Sequence, residues 1–168
     1  MIVNKNKAQT KYGTLQIASM ILTATDTARM SKPVRELISK SSYFFLATAS
    51  KEGKPNMNYK GGEVGFVHVV DETTIVFPDY DGNGILHGIS DMMDNPNIAM
   101  LFIDFNTSLR FKVNGIATII DSKEEVAKYL DYKGFDYAPR LIKVDVKYVL
   151  GNCSKNIDNV RKDILSYE

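Results

Sequence analysis

Apolar positions change period several times along the chain, and each change marks an element. Leu15, Ala18 and Leu22 share one helical face while Gln16, Ser19 and Asp26 lie elsewhere, which predicts a surface or partner-contacting helix within an N-terminal extension, residues 1–30. Ser31-Lys32-Pro33-Val34 opens a second helix: a capping residue precedes a proline in the first turn, and Val34, Leu37 and Ile38 form an apolar stripe ending near Ser41 or Ser42. From Tyr43 the pattern turns aromatic and short. Tyr43 to Ala49 reads as a buried strand, Ser50 to Pro55 as a hairpin turn, and Asn56 to Tyr59 or Lys60 as a strand more polar than a core strand requires.

After Gly61-Gly62, the runs Gly65–Val70 and Thr74–Phe77 flank Asp71-Glu72-Thr73 as a second hairpin, with Pro78 ending it. Gly82 to Asp94 carries Ile85, Ile89, Met92 and Met93 at helical intervals, so a loop leads into a short helix closed by Asn95-Pro96. Met92, Met93 and Met100 read as core filler. Asn97–Ile103 and Leu109–Ile120 are strands, the second with a bulge or bend at Gly115. Ser122-Lys123-Glu124-Glu125 is a capping box that starts a helix towards Leu130. Arg140 to Leu150 alternates as a half-buried strand, and Ile157 to Leu165 reads as a terminal helix. Six or seven strands joined mostly by short turns predict antiparallel pairing. In so small a chain they predict closure into a barrel, which hides the edges that a flat sheet exposes.

Composition narrows the chemistry. Twenty-one Lys+Arg against 20 Asp+Glu leave a formal charge of +1, with no general field to attract nucleic acid or an anionic membrane. One cysteine, in the polar stretch Gly151 to Lys155, makes neither an internal disulfide nor a thiolate cage, and Cys153 lacks the neighbouring His and acid of an activated thiol. His68, between Val67 and Val69 in a strand, reads as structural, whereas His87 sits beside the glycine loop. Lys5, Lys7 and Lys11 precede the apolar run Leu15–Ala24, but Gln16, Ser19 and Thr23 interrupt it, so the expectation is a cytoplasmic protein with no membrane span and no metal centre. Any hard chemistry then belongs to an organic cofactor.

The ordered set that follows is the informative one. A strand, a Gly-Lys-Pro turn and a strand ending at Lys60-Gly61 come first, then Ile75-Val76-Phe77-Pro78-Asp79 and a Gly82-Asn83-Gly84 loop opening a helix. Asn95-Pro96-Asn97-Ile98, Met100-Leu101-Phe102 and Val113-Asn114-Gly115 complete it. Over roughly residues 34–150 this order resembles the pyridoxamine 5'-phosphate oxidase-like FMN-binding split-barrel family. The resemblance implies a mainly β fold with flanking helices, a six-stranded antiparallel Greek-key split β-barrel across residues 31–168. It also implies a homodimer holding FMN at two sites in the subunit interface.

By the same resemblance, Asn56, Met57, Asn58, Tyr59 and Lys60 form the strand beside the flavin, Phe77, Pro78 and Asp79 a second contacting strand end, and Gly82, Asn83 and Gly84 the phosphate loop. Arg110 matches a position that approaches the flavin, where a cation stabilises the anionic reduced ring. Tyr148 and Arg140 are further candidates for reaching a partner's cofactor. The bare residues also allow simpler readings: alternating polarity is the default of a half-exposed sheet, and a charge on a strand is often a cross-strand partner.

Two departures from the family pattern stand out. Gly84 and Ile85 occupy positions where relatives carry Arg or Lys, so Asn83, backbone amides and Lys60 or Arg110 must compensate. The Arg-x-His pattern of the true oxidases is absent from Arg140 to Glu168, so vitamin B6 oxidation is not implied. The resulting expectation is an FMN-dependent oxidoreductase transferring hydride through flavin N5 to or from a small molecule. Its rivals are a non-enzymatic flavin- or haem-binding barrel, or one that has lost its cofactor, and a small interaction module using the N-terminal helix.

Overall fold

Alternation of apolar and polar side chains builds one sheet of seven antiparallel strands in the computed structural model, which describes residues 6–25, 27–151 and 157. The strands are β1 (Tyr43–Ala49), β2 (Pro55–Gly61), β3 (His68–Val69), β4 (Thr74–Asp79), β5 (Asn97–Asp104), β6 (Leu109–Ile120) and β7 (Arg140–Gly151). Their spatial order is β2-β1-β5-β6-β7-β4-β3, so two hairpins flank a β5-β6-β7 meander. Helices α1 (Asn6–Lys11) and α2 (Leu15–Thr25) precede the barrel, α3 (Lys32–Lys40) leads into it, α4 (His87–Asp94) connects β4 to β5, and α5 (Lys123–Ala127) follows β6. Ser122 caps α5 as its sequence predicts, its hydroxyl accepting from the Glu125 amide at 3.3 Å.

Phe44, Leu46 and Thr48 of β1 face inward while Tyr43, Phe45 and Ala47 face outward. Phe44 is the centre of the core, its ring 5.0 Å from Phe77, 5.2 Å from Phe102 and 5.9 Å from Phe66. Val34, Leu37 and Ile38 seal α3 onto this core, and Met92 seals α4. A smaller cluster of Val76, Ile120, Phe135, Ala138 and Leu141 is roofed by Tyr80, Tyr129 and Tyr132. The Tyr-rich turns of residues 128–139 that form this roof carry no periodic signal in the sequence. His68 stacks on Tyr132, ring centroids 3.5 Å apart, and burial lowers its pKa.

Several details differ from the sequence expectation, each for a physical reason. The strand expected over Gly65–Val70 shortens to His68–Val69, because Gly65 turns in the left-handed region and Phe66 and Val67 drop into the core. Pro78 does not end its strand. It pairs with Leu141 of β7, and β3 pairs only with Ile75 and Val76, so no ladder on the other side needs an amide at Pro78. Met93 is exposed, not core filler, while Met92 and Met100 are buried. The α5 helix stops at Ala127, short of Leu130. At Gly115 the β6-β7 register does shift, and a Cβ there would lie 2.5 Å from Val144 Cγ1 and 2.7 Å from the Asp145 carbonyl, so the close strand approach requires glycine.

In the N-terminal segment, Thr27 bridges Val149 of β7 and Met30 is buried. On α2, Ile17, Met20 and Ile21 are exposed beside Gln16 and Ser19. The terminal helix expected over Ile157–Leu165, apart from buried Ile157, and the Cys153 segment lie outside the described residues. No helix among the described residues is long and apolar enough to cross a membrane, and no group of three metal-ligating side chains occurs among them.

Candidate functional site

Edge strand β2 sends alternate side chains to opposite faces, which divides its five candidate residues into two sets. Asn56, Asn58 and Lys60 are half-buried beneath α4, whereas Met57 and Tyr59 are 71% and 65% exposed on the outer surface. Asn56 ties β2 to the helix: its amide donates to Thr48 Oγ1 and to Asp91 Oδ2, each at 3.2 Å, and Thr48 donates to the same carboxylate at 2.6 Å. Asn58 and Lys60 instead line a cavity of about 270 Å³ enclosed by the end of β4, the glycine loop and the first turn of α4.

The cavity wall also includes Asp79, Tyr80, Gly82, Asn83, Gly84, His87 and Gly88. Its entrance loop is fixed locally, since Asn83 Oδ1 accepts from the Ile85 amide at 3.1 Å and Gly84 turns at φ +75°. Leu86, in the left-handed region, precedes α4 and provides no side-chain cap, so among the described residues the helix start keeps first-turn amides suited to an anion. The Asn58 Nδ2 group is buried yet has no hydrogen-bond partner among the described residues, a donor that a ligand acceptor would satisfy. A Cβ on Gly88 would come 3.3 Å from that nitrogen, closer than ordinary van der Waals contact, so glycine avoids crowding it from the helix side.

Charge in the cavity is arranged as a chain. Lys60 Nζ donates to Asp79 Oδ1, Arg140 Nε donates to Asp79 Oδ2 at 2.8 Å, and Arg140 Nη2 donates to Asp81 Oδ1 at 3.0 Å. Asp79 is only 2% exposed, so its carboxylate depends on these two cations for compensation. Burial opposes the Arg140 charge, but the hydrogen bonds and charges of Asp79 and Asp81 outweigh it and hold the guanidinium above its ordinary pKa. Tyr80 packs against Tyr137 at 5.1 Å and donates to the Gly134 carbonyl; burial, with the Tyr137 hydroxyl, raises its phenol pKa.

The structure therefore brings together Asn58, Lys60, Asp79, Gly82, Asn83 and Gly84. Asn56 lies beside them in the link to α4. Phe77 is fully buried in the core, Pro78 is buried in the β4-β7 ladder, and Met57 and Tyr59 are on the far side of β2. Arg110 pairs opposite Ile103 on β6, three strands from β2 in the sheet order, and does not line the cavity. Arg140 does join the site, through Asp79 and Asp81, while Tyr148 lies opposite Asn114. Tyr80, Gly88 and Ile89 are wall residues that the sequence reading missed. Their only signals were the position of Tyr80 directly after Asp79 and a third glycine after Gly82 and Gly84.

An antiparallel split barrel with a glycine-lined, donor-rich cavity at the start of its connecting helix defines the class. Residues 30–151 match the pyridoxamine 5'-phosphate oxidase family, and the chain belongs to it. Among solved structures it is similar to a candidate pyridoxamine 5'-phosphate oxidase from Lactobacillus delbrueckii, at 17% identity and a TM-score of 0.61, over 74% of this chain and 96% of that one. An FMN-binding protein from Syntrophomonas wolfei aligns at 12% identity and a TM-score of 0.53, over 87% and 96% of the two chains. HupZ of Group A Streptococcus aligns at 17% and 0.56, over 73% and 93%. At these identities the likeness defines the fold, a split β-barrel with flanking helices. No curated protein matches the chain.

Proposed function

We propose that the chain is an FMN-binding flavoprotein oxidoreductase working as a homodimer on a small-molecule substrate. The observation that carries this reading is the cavity in which the unpartnered Asn58 amide, Lys60 and the uncapped start of α4 converge. These residues fit the phosphate end of FMN: amides and an ammonium supply donors, and Gly82, Gly84 and Gly88 leave space for close approach. About 270 Å³ is below the range of roughly 300–1,000 Å³ usual for a whole ligand, so the ring needs a further wall.

The outer sheet face supplies a reason for a second copy to form that wall. Tyr59, Phe45 and Leu101 lie in one row across β2, β1 and β5, and Met57, Ala47 and Ala99 in the next. Tyr43 stacks on Tyr59 at 5.9 Å, extending the same apolar patch. A two-fold contact through this face would bury the patch, and β2, which carries Met57 and Tyr59 on this face and Asn58 and Lys60 on the other, would then adjoin the partner.

FMN would supply a hydride acceptor and donor at N5, and Lys60, the Asn58 amide and the first amides of α4 would hold its phosphate. Anaerobic addition of a reduced nicotinamide to the FMN-loaded protein tests the oxidoreductase reading. Bleaching of the flavin absorbance is expected. A band that persists with every nicotinamide donor contradicts hydride transfer from that class and favours a flavin carrier without turnover.

A further inference from the structure

Lys60 and Arg140 are the cations placed to replace the arginine or lysine missing at Gly84 and Ile85, yet both already donate to one buried carboxylate. We propose that Asp79 is an internal counter-anion that competes with the ligand's phosphate for Lys60, so that FMN exchanges with solution instead of staying resident. This inference rests on the FMN reading of the cavity and adds how tightly the cavity holds its ligand.

The physical argument is one of charge at short range. Lys60 lines the cavity with its side chain 23% exposed, so its remaining N–H groups are accessible to a phosphate, while Asp79 is 2% exposed and cannot swing into solvent. Arg140, 16% exposed, is held between Asp79 and Asp81, with its Nε and Nη2 donors directed at their carboxylates. Two cations against two carboxylates leave the side chains near the phosphate position with no net charge. The α4 amides and the Asn58 amide then supply the attraction, and these neutral donors are weaker for a dianion than free charges. Each of these partly buried cations has a carboxylate partner.

The test compares FMN with riboflavin, which carries the same ring without the phosphate, by quenching of flavin fluorescence. Asp79→Asn frees Lys60, so FMN affinity is expected to rise about tenfold or more, the effect of one charge-assisted contact, while riboflavin affinity stays unchanged. A folded variant in which both flavins shift equally, or neither shifts, overturns the counter-anion role and leaves the FMN reading intact. Absence of binding of either flavin to every form overturns the FMN reading itself.

Should Asp79→Asn fail to fold, Lys60→Gln and the double variant Lys60→Gln/Asp79→Asn carry the test. The single change is expected to weaken FMN about tenfold relative to riboflavin, because Asp79 then repels the phosphate, and the double change to restore near wild-type discrimination. A double variant as weak as the single one shows that Lys60 acts without interference from Asp79 and overturns the proposal.

Discussion

Phe77→Ala is expected to remove about 3–5 kcal/mol of folding stability, a large share of what a domain of this size has. Phe77 is wholly buried and meets the edge of Phe44, so truncation opens a void where β4 joins the central aromatic cluster. Phe44 is itself packed against Phe66 and Phe102, so it is held in place on its other sides. Urea unfolding would read the loss as a fall in the midpoint at constant slope. Phe77→Leu, which keeps most of the volume, is expected to cost below about 1.5 kcal/mol and to leave FMN affinity unchanged, because the side chain does not line the cavity. A Leu variant that is stable but no longer binds FMN would return Phe77 to the site.

Met57→Glu/Tyr59→Glu is expected to separate the proposed homodimer while leaving each barrel folded. Both residues are more than three-fifths exposed in the isolated chain, so the changes cost little in the monomer. In a two-fold contact each charge would be buried against an apolar surface, and the symmetry doubles the number, so the dimer dissociation constant should rise on the order of a hundredfold. Light scattering behind size exclusion reads the mass, and a flavin titration of the same sample reads the coupling. FMN should weaken with the dimer, since the flavin ring loses its second wall. An unchanged dimer places the subunit contact on another face, and a monomer with full FMN affinity shows that the cavity is complete within one chain.

The barrel was legible in the sequence because its strands alternate and its turns carry glycine, proline and serine. Tyr43–Ala49, the Gly115 bulge and the Ser122 cap are local signals, and tertiary packing did not override them. What was not legible depends on contacts between distant segments. Phe66 and Val67 have strand propensity but are drawn into the core, and Pro78 remains in a strand because its position at the sheet margin makes its missing amide harmless. In the site, the family order identified the glycine loop, Asn58 and Lys60, which do line one cavity. It gave no sign that Asp79 would be occupied by Lys60 and Arg140, because a link between positions 60, 79 and 140 has no period or spacing to read. The Tyr80-Tyr137 stack was hidden for the same reason.

The central claim is that the cavity between β2, the end of β4 and α4 takes the phosphate end of FMN. Titration of purified protein into FMN, following flavin fluorescence, tests it most directly when repeated with Asn58→Leu, which removes the buried unpartnered donor without adding charge. Saturable quenching at one FMN per chain, competition by inorganic phosphate and an affinity about tenfold weaker in the variant are expected. Quenching that never saturates, or that is the same for wild type and Asn58→Leu and indifferent to phosphate, would contradict it.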